Sequence, residues 1–143
     1  MPSGAVERLA AGGTGGRRMK SPWKSMMPLE ADREYLVLAT RIPPRSRSST
    51  LRLFRGAGAV RKQLEGTEGV VGFSLLARPW KKQYATLSVW VDEPSLAAFS
   101  AAAPHRELMV DLAPEMDRTK FVRWTIKGAD GQPSWDEALT RLH

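Results

Sequence analysis

His105 is the residue in this chain with the clearest chemical potential. It follows Pro104, which interrupts a helical run and can serve as the first residue of its restart. At a helix start the positive end of the backbone dipole favours the neutral ring, which can act as a general base, a haem ligand or a hydrogen-bond donor. The plainer reading is a half-exposed histidine bonded to nearby backbone. The other histidine, His143, ends the sequence, so no Ser-His-Asp set can be argued. Cysteine is absent, which excludes structural disulfides, thiolate zinc sites and iron–sulfur clusters. A transition-metal site would then depend on carboxylates. Glu107 and Asp111 stand one turn apart, but ordinary solvent-facing acids do so too, and no metal is expected.

Three other stretches invite a functional reading. Gly56-Ala57-Gly58-Ala59-Val60 has the look of a dinucleotide loop, but it falls inside a helix, and Arg61 stands where the third glycine belongs. Arg78, Lys81 and Lys82 with Trp80 and Tyr84 could stack on and neutralise a nucleic-acid strand. A hairpin tip with snorkelling basic side chains accounts for them more simply. The formal charge is +7, and Arg41, Arg45, Arg47, Arg52, Arg55, Arg61 and Lys62 supply as much within an acid-free stretch. Such a patch attracts nucleic acid, anionic membrane or acidic ligands. A block of like charge more often only solvates, and neither a nucleic-acid nor a membrane partner is expected.

The elements that must position His105 can be read in order. Residues 1–32 form a Gly-, Ala- and Pro-rich basic arm without apolar periodicity, expected to be disordered, with Trp23 its single aromatic side chain. A single domain follows over 33–143. Tyr35 to Thr40 is apolar on both parities, as in a strand covered on both faces. Ser49 or Thr50 can cap a helix whose stripe is Leu53, Ala57, Val60 and Leu64. Gly56 and Gly58 within it suggest close approach to the sheet, and Gly66 a left-handed cap. Val70–Arg78 and Tyr84–Val91 form a hairpin, with Val71, Phe73 and Leu75 on one parity. Pro94 opens a second helix that buries Leu96 and Phe99, and Phe121–Lys127 is the fourth strand. Ser134 caps a last helix carrying Trp135, Ala138, Leu139 and Leu142.

This order, β-α-β-β-α-β plus a C-terminal helix, is the α+β, ferredoxin-like arrangement. Four antiparallel strands would carry both helices on one face and leave the other open, with Leu76, Trp90 and Phe121 on it. Burying ~300 Å² of such a face would contribute on the order of 7 kcal/mol, so a sheet-to-sheet homodimer is expected. No apolar run approaches the ~20 residues of a bilayer span, and the absence of cysteine suits a reducing cytoplasm, the expected location.

Leu87-Ser88-Val89-Trp90, Asp92-Glu93, Leu96-x-x-Phe99 and His105-Arg106-x-x-Met109 together resemble the third strand and second helix of the dimeric α+β barrel proteins. That superfamily includes antibiotic-biosynthesis monooxygenases, haem-degrading monooxygenases and spheroidene monooxygenase-like proteins. With Arg123-Trp124 and Trp135-Asp136-Glu137-Ala138-Leu139, the chain looks most like the uncharacterised antibiotic-biosynthesis- and spheroidene-monooxygenase-like branch, over roughly residues 34 to 142. The resemblance implies a pocket between helices and sheet, and cofactor-free oxygenation in which a deprotonated aromatic substrate itself activates oxygen. His105 would be the base and Phe99 an apolar wall for a small apolar or aromatic ligand. The Asn/Trp/His set of the haem-degrading members carries over poorly. Its asparagine corresponds to Thr40 and its tryptophan to Phe99, while His105 sits about a turn early, so no cofactor is expected and haem is the alternative. Thr40, Phe99 and, if it turns inward at the strand end, Arg41 are the candidate substrate contacts. A non-catalytic ligand-binding or structural dimer of the same fold is the other reading.

Overall fold

The apolar run from Tyr35 to Thr40 becomes the core of β3 (Glu34–Ile42), the strand around which the sheet is built. The computed structural model describes residues 19–78 and 83–143. Strand β3 pairs antiparallel with β5 (Gln83–Trp90) on one side and β6 (Lys120–Lys127) on the other. β5 in turn pairs with β4 (Val70–Arg78), so the four long strands lie in the order β4-β5-β3-β6. Helix α1 (Arg47–Glu65) connects β3 to β4, while α2 (Glu93–Ala101) and α3 (His105–Leu112) connect β5 to β6. This is the ferredoxin-like split βαβ topology. Two short strands, β1 (Met19–Lys20) and β2 (Lys24–Ser25), add to the outer edge of β4, and α4 (Trp135–Leu142) closes the chain.

Helix α1 buries Leu53 and Leu64, the two ends of the anticipated stripe. Its cap is Ser46, whose Oγ accepts the Ser49 N–H at 3.1 Å, rather than Ser49 or Thr50. Ser49 is engaged elsewhere, donating to Glu115. A Cβ on Gly56 would overlap Leu108, so the close approach is between α1 and α3 and not between α1 and the sheet, and Gly58 faces open space. Gly66 has an ordinary φ of −103°. The left-handed residue is Gly69 at φ +89°, where a side chain would also collide with Ser95.

Strand β4 carries a bulge. Its register against β5 slips between Val70 and Gly72, so Val71 is an extra residue and the faces exchange. Val70 and Phe73 therefore pack on the helix side, while Val71 and Leu76 pack on the other. Grouping Val71 with Phe73 and Leu75 by strict alternation fails for that reason.

The face expected to stay open is closed by the chain itself. Trp90 packs among Phe73, Leu96 and Phe99 on the helix side, and Phe121 borders the cavity on that side too. The opposite face buries Tyr35, Val37, Ala39, Leu87 and Val89 beneath Trp135, Ala138 and Leu142 of α4. Trp135 adds a buried hydrogen bond, its Nε1 donating to Ser74 Oγ at 2.9 Å. Residues 19–32 are ordered against the same sheet rather than disordered. Trp23, Met27 and Leu29 pack on that core, and a Cβ on Gly72 would overlap the Trp23 indole. Tyr35 holds the segment further, its hydroxyl accepting the Glu30 N–H at 2.9 Å. Residues 1–18 of the expected arm lie outside the described residues. Among the described residues, α4 and residues 19–32 thus cover the sheet face expected to stay open for a homodimer.

At the N-terminus of α2, Asp92 is the cap, accepting the Ser95 N–H at 2.9 Å. Hydrogen bonding from the Ser95 hydroxyl, then from its backbone N–H, lowers the Asp92 pKa below its ordinary 3.8. A depressed carboxyl pKa lends stability above the unfolded-state value and loses it as pH falls through the folded one. Asp92→Ala is therefore expected to be less stable than the natural chain at about pH 6. Urea midpoints for the two should converge only as the pH drops below 3.8.

Candidate functional site

Between α1, the α2–α3 pair and the sheet lies a cavity of about 160 Å³. Its floor is the helix-side face of β3, β4 and β5, with Leu38, Thr40, Phe73, Thr86 and Trp90; Leu53, Val60 and Leu64 of α1 form one wall, and Phe99 and His105 the other. A closed apolar cavity near 150 Å³ accepts a benzene-sized molecule. A second recess of about 280 Å³ adjoins it, sharing Ile42, Leu53, Met109 and Phe121, but His105 does not border that one.

The break between α2 and α3 sets His105. Its Nδ1 lies 3.2 Å from the Ser100 carbonyl oxygen. A carbonyl can only accept, so this contact requires a proton on Nδ1, and in the neutral ring it is Nε2 that carries the lone pair. The ring stacks obliquely on Phe99 at 4.9 Å between centroids. Gln63 of α1 locks the joint from across the cavity wall. Its Nε2 donates to the Phe99 carbonyl at 3.1 Å, and its Oε1 accepts the His105 N–H at 2.9 Å. The sequence reading missed Gln63, because a polar residue between Lys62 and Leu64 carries no local mark of a bridge to a segment 42 residues on.

The polar groups of the cavity are few. Thr40 is buried at 6 % exposure, stands opposite Thr86 in the β3–β5 register, and its hydroxyl bonds no described residue. Ser88 is occupied as the acceptor for Trp90 Nε1 at 2.9 Å. Tyr84 borders the cavity too, and burial raises its pKa, which keeps the phenol protonated. Arg61 is the only Lys, Arg, Asp or Glu among the described lining residues. It, too, escaped notice as a site residue, being one basic residue in a basic stretch.

Of the residues proposed from sequence, His105, Phe99 and Thr40 meet at this cavity and Arg41 does not. Arg41 shares the parity of Val37 and Ala39, which face α4, so strand alternation turns it away from the helices. The basic stretch is partly neutralised by acids far away in sequence. Arg45 Nε meets Asp117 Oδ1 at 3.0 Å and Arg52 pairs with Glu115, both from the segment between α3 and β6. Glu107 and Asp111 are exposed. Gly56 to Val60 lie in the interior of α1, whereas Pro79 to Lys82, between β4 and β5, fall outside the described residues.

The cavity bordered by His105 alone has room for about one aromatic ring, and a tetrapyrrole, several times larger, would have to extend into the adjoining recess. By sequence resemblance, Thr40 and Phe99 stand where the haem-degrading proteins would carry asparagine and tryptophan.

No protein-family model matches the chain, and no curated protein does. Solved structures do match in fold. One is SnoaB, a cofactor-independent oxygenase from Streptomyces nogalater, at a TM-score of 0.55 and 14 % identity over 66 % of this chain and 94 % of that one. A protein from Nitrosomonas europaea, provisionally named an antibiotic-biosynthesis monooxygenase, matches at 0.57 and 14 % over 63 % and 88 % of the two chains. A protein from Fusobacterium nucleatum, provisionally named a monooxygenase, matches at 0.61 and 13 %, covering 71 % of this chain. The match covers 46 % of that protein, so the chain spans about half its length. Among the described residues no helix is long and apolar enough to cross a membrane. The chain thus has the ferredoxin-like α+β fold of these oxygenase and monooxygenase-named structures, and at such identities the likeness is one of fold.

Proposed function

We propose that the helix-side cavity binds a small aromatic molecule, and that His105 deprotonates it so that it reacts directly with oxygen. The observation that carries this reading is the orientation of His105. The Ser100 carbonyl fixes its Nδ1, which leaves Nε2 as the proton acceptor at the wall of an apolar cavity. Aromatic side chains at Phe73, Trp90 and Phe99 suit a ring. The SnoaB fold neighbour, named a cofactor-independent oxygenase, supports the reaction class by analogy alone.

For an electron-rich phenol the chemistry balances without further reagents. His105 removes a proton, and the resulting anion passes one electron to oxygen. The radical pair then joins through a new carbon–oxygen bond. The hydroperoxide regains the proton from His105 and eliminates water, giving a quinone. One phenol and one oxygen molecule yield one quinone and one water.

Oxygen uptake and quinone absorbance should be followed together with single-ring methoxyphenols in the presence of a chelator. The expected result is one oxygen consumed per quinone formed, unaffected by the chelator. Binding of these phenols without any uptake above the protein-free rate would replace this reading by the non-catalytic one. That alternative draws on the same Ser100 contact, which also satisfies a purely structural histidine.

A further inference from the structure

We infer that Arg61 makes this cavity selective for a single aromatic ring bearing an ionised oxygen substituent, a carboxylate or a phenolate. The inference rests on the reading of the cavity as a ligand site and adds the class of ligand it takes. Arg61 belongs to α1, four residues after Ala57 and three before Leu64, so it stands at the edge of the stripe that walls the cavity. Its guanidinium lies over the Phe73 ring, Cζ 5.7 Å from the centroid. That contact holds the charge beside an aromatic surface of the cavity floor.

Its other charged contact is weak. Arg61 Nε is 3.8 Å from Glu65 Oε2, too far for a hydrogen bond, and both side chains are partly exposed at 33 % and 40 %. None of the five guanidinium N–H donors forms a hydrogen bond with a described residue. An arginine with open donors at the edge of an apolar cavity is arranged to receive an anion by charge-assisted hydrogen bonds. With a ring lying against Phe73 and Phe99, an ionised oxygen reaching Arg61 would be paired at the rim rather than buried alone, which avoids the cost of an unpaired charge. This also supplies the anion contact that Arg41, on the wrong face, does not.

The test compares benzoate with benzamide, its neutral near-isostere, on the full chain. Binding can be followed through the Trp90 indole N–H resonance, a reporter on the cavity floor held by Ser88. Benzoate is expected to bind about tenfold more tightly than benzamide, the scale of one charge-assisted contact. Arg61→Gln should abolish that preference, and Arg61→Lys should restore part of it. Equal affinities in the natural chain, or a preference that survives Arg61→Gln, would overturn the inference while leaving the cavity as a ligand site. Failure of both compounds to move the Trp90 signal at millimolar concentration would overturn the cavity reading and the inference together.

Discussion

Replacing Trp135 by alanine is expected to lower the unfolding free energy by about 3–5 kcal/mol, the range for truncating a large buried aromatic side chain. Trp135 is 9 % exposed and packs with Val37, Ala39, Leu87 and Val89, the centre of the sheet face opposite the helices. Its indole also satisfies Ser74. Helix α4 has eight residues, too few to persist in water without docking. Loss of the anchor should therefore free the whole helix, and urea unfolding and amide exchange should report both effects. The bared sheet face should also self-associate, so sedimentation at rising concentration should show a species absent from the natural chain. A loss below about 1 kcal/mol with α4 still protected from exchange would show that Trp135 does not close this face.

That face marks where sequence reasoning reached and where it stopped. Element order and most element bounds were legible, because turn residues and apolar periodicity are local signals. Pro43-Pro44, Pro94 and Pro104 punctuate the chain where the structure breaks, and Leu53, Leu64, Leu96 and Phe99 are buried as their spacing demanded. The side of the sheet on which each residue falls was less legible. The β4 bulge exchanges its faces at Val71, a shift no alternation pattern announces. Which segments close the second face is a long-range matter. Trp23 and Trp135 cover a sheet face whose strands lie up to about a hundred residues away in sequence.

The candidate site divides in the same way. His105 and Phe99 were legible because a proline break and a helical spacing place them on one short segment. Thr40 came only through resemblance, and the structure sets it across the cavity floor from them. Arg41 was one residue off, which in a strand means the opposite face. Arg61 and Gln63 were illegible because their roles depend on what α1 packs against.

The second large effect concerns His105 itself. His105→Ala is expected to reduce phenol-dependent oxygen uptake by 10²- to 10⁴-fold, the usual contribution of a positioned general base. Stability should change little, because the ring is only partly buried and its backbone N–H bond to Gln63 survives the substitution. Ligand affinity should also survive, since Phe73, Trp90 and Arg61 remain, so the loss belongs in kcat rather than KM. The truncation leaves a space beside Phe99 about the size of the ring it removes. Added imidazole should enter that space and recover part of the rate, which a merely structural histidine would not allow. An unchanged rate in His105→Ala would remove His105 from the chemistry. A reduced rate that imidazole leaves untouched, with α3 loosened in amide exchange, would reassign His105 to holding the α2–α3 joint.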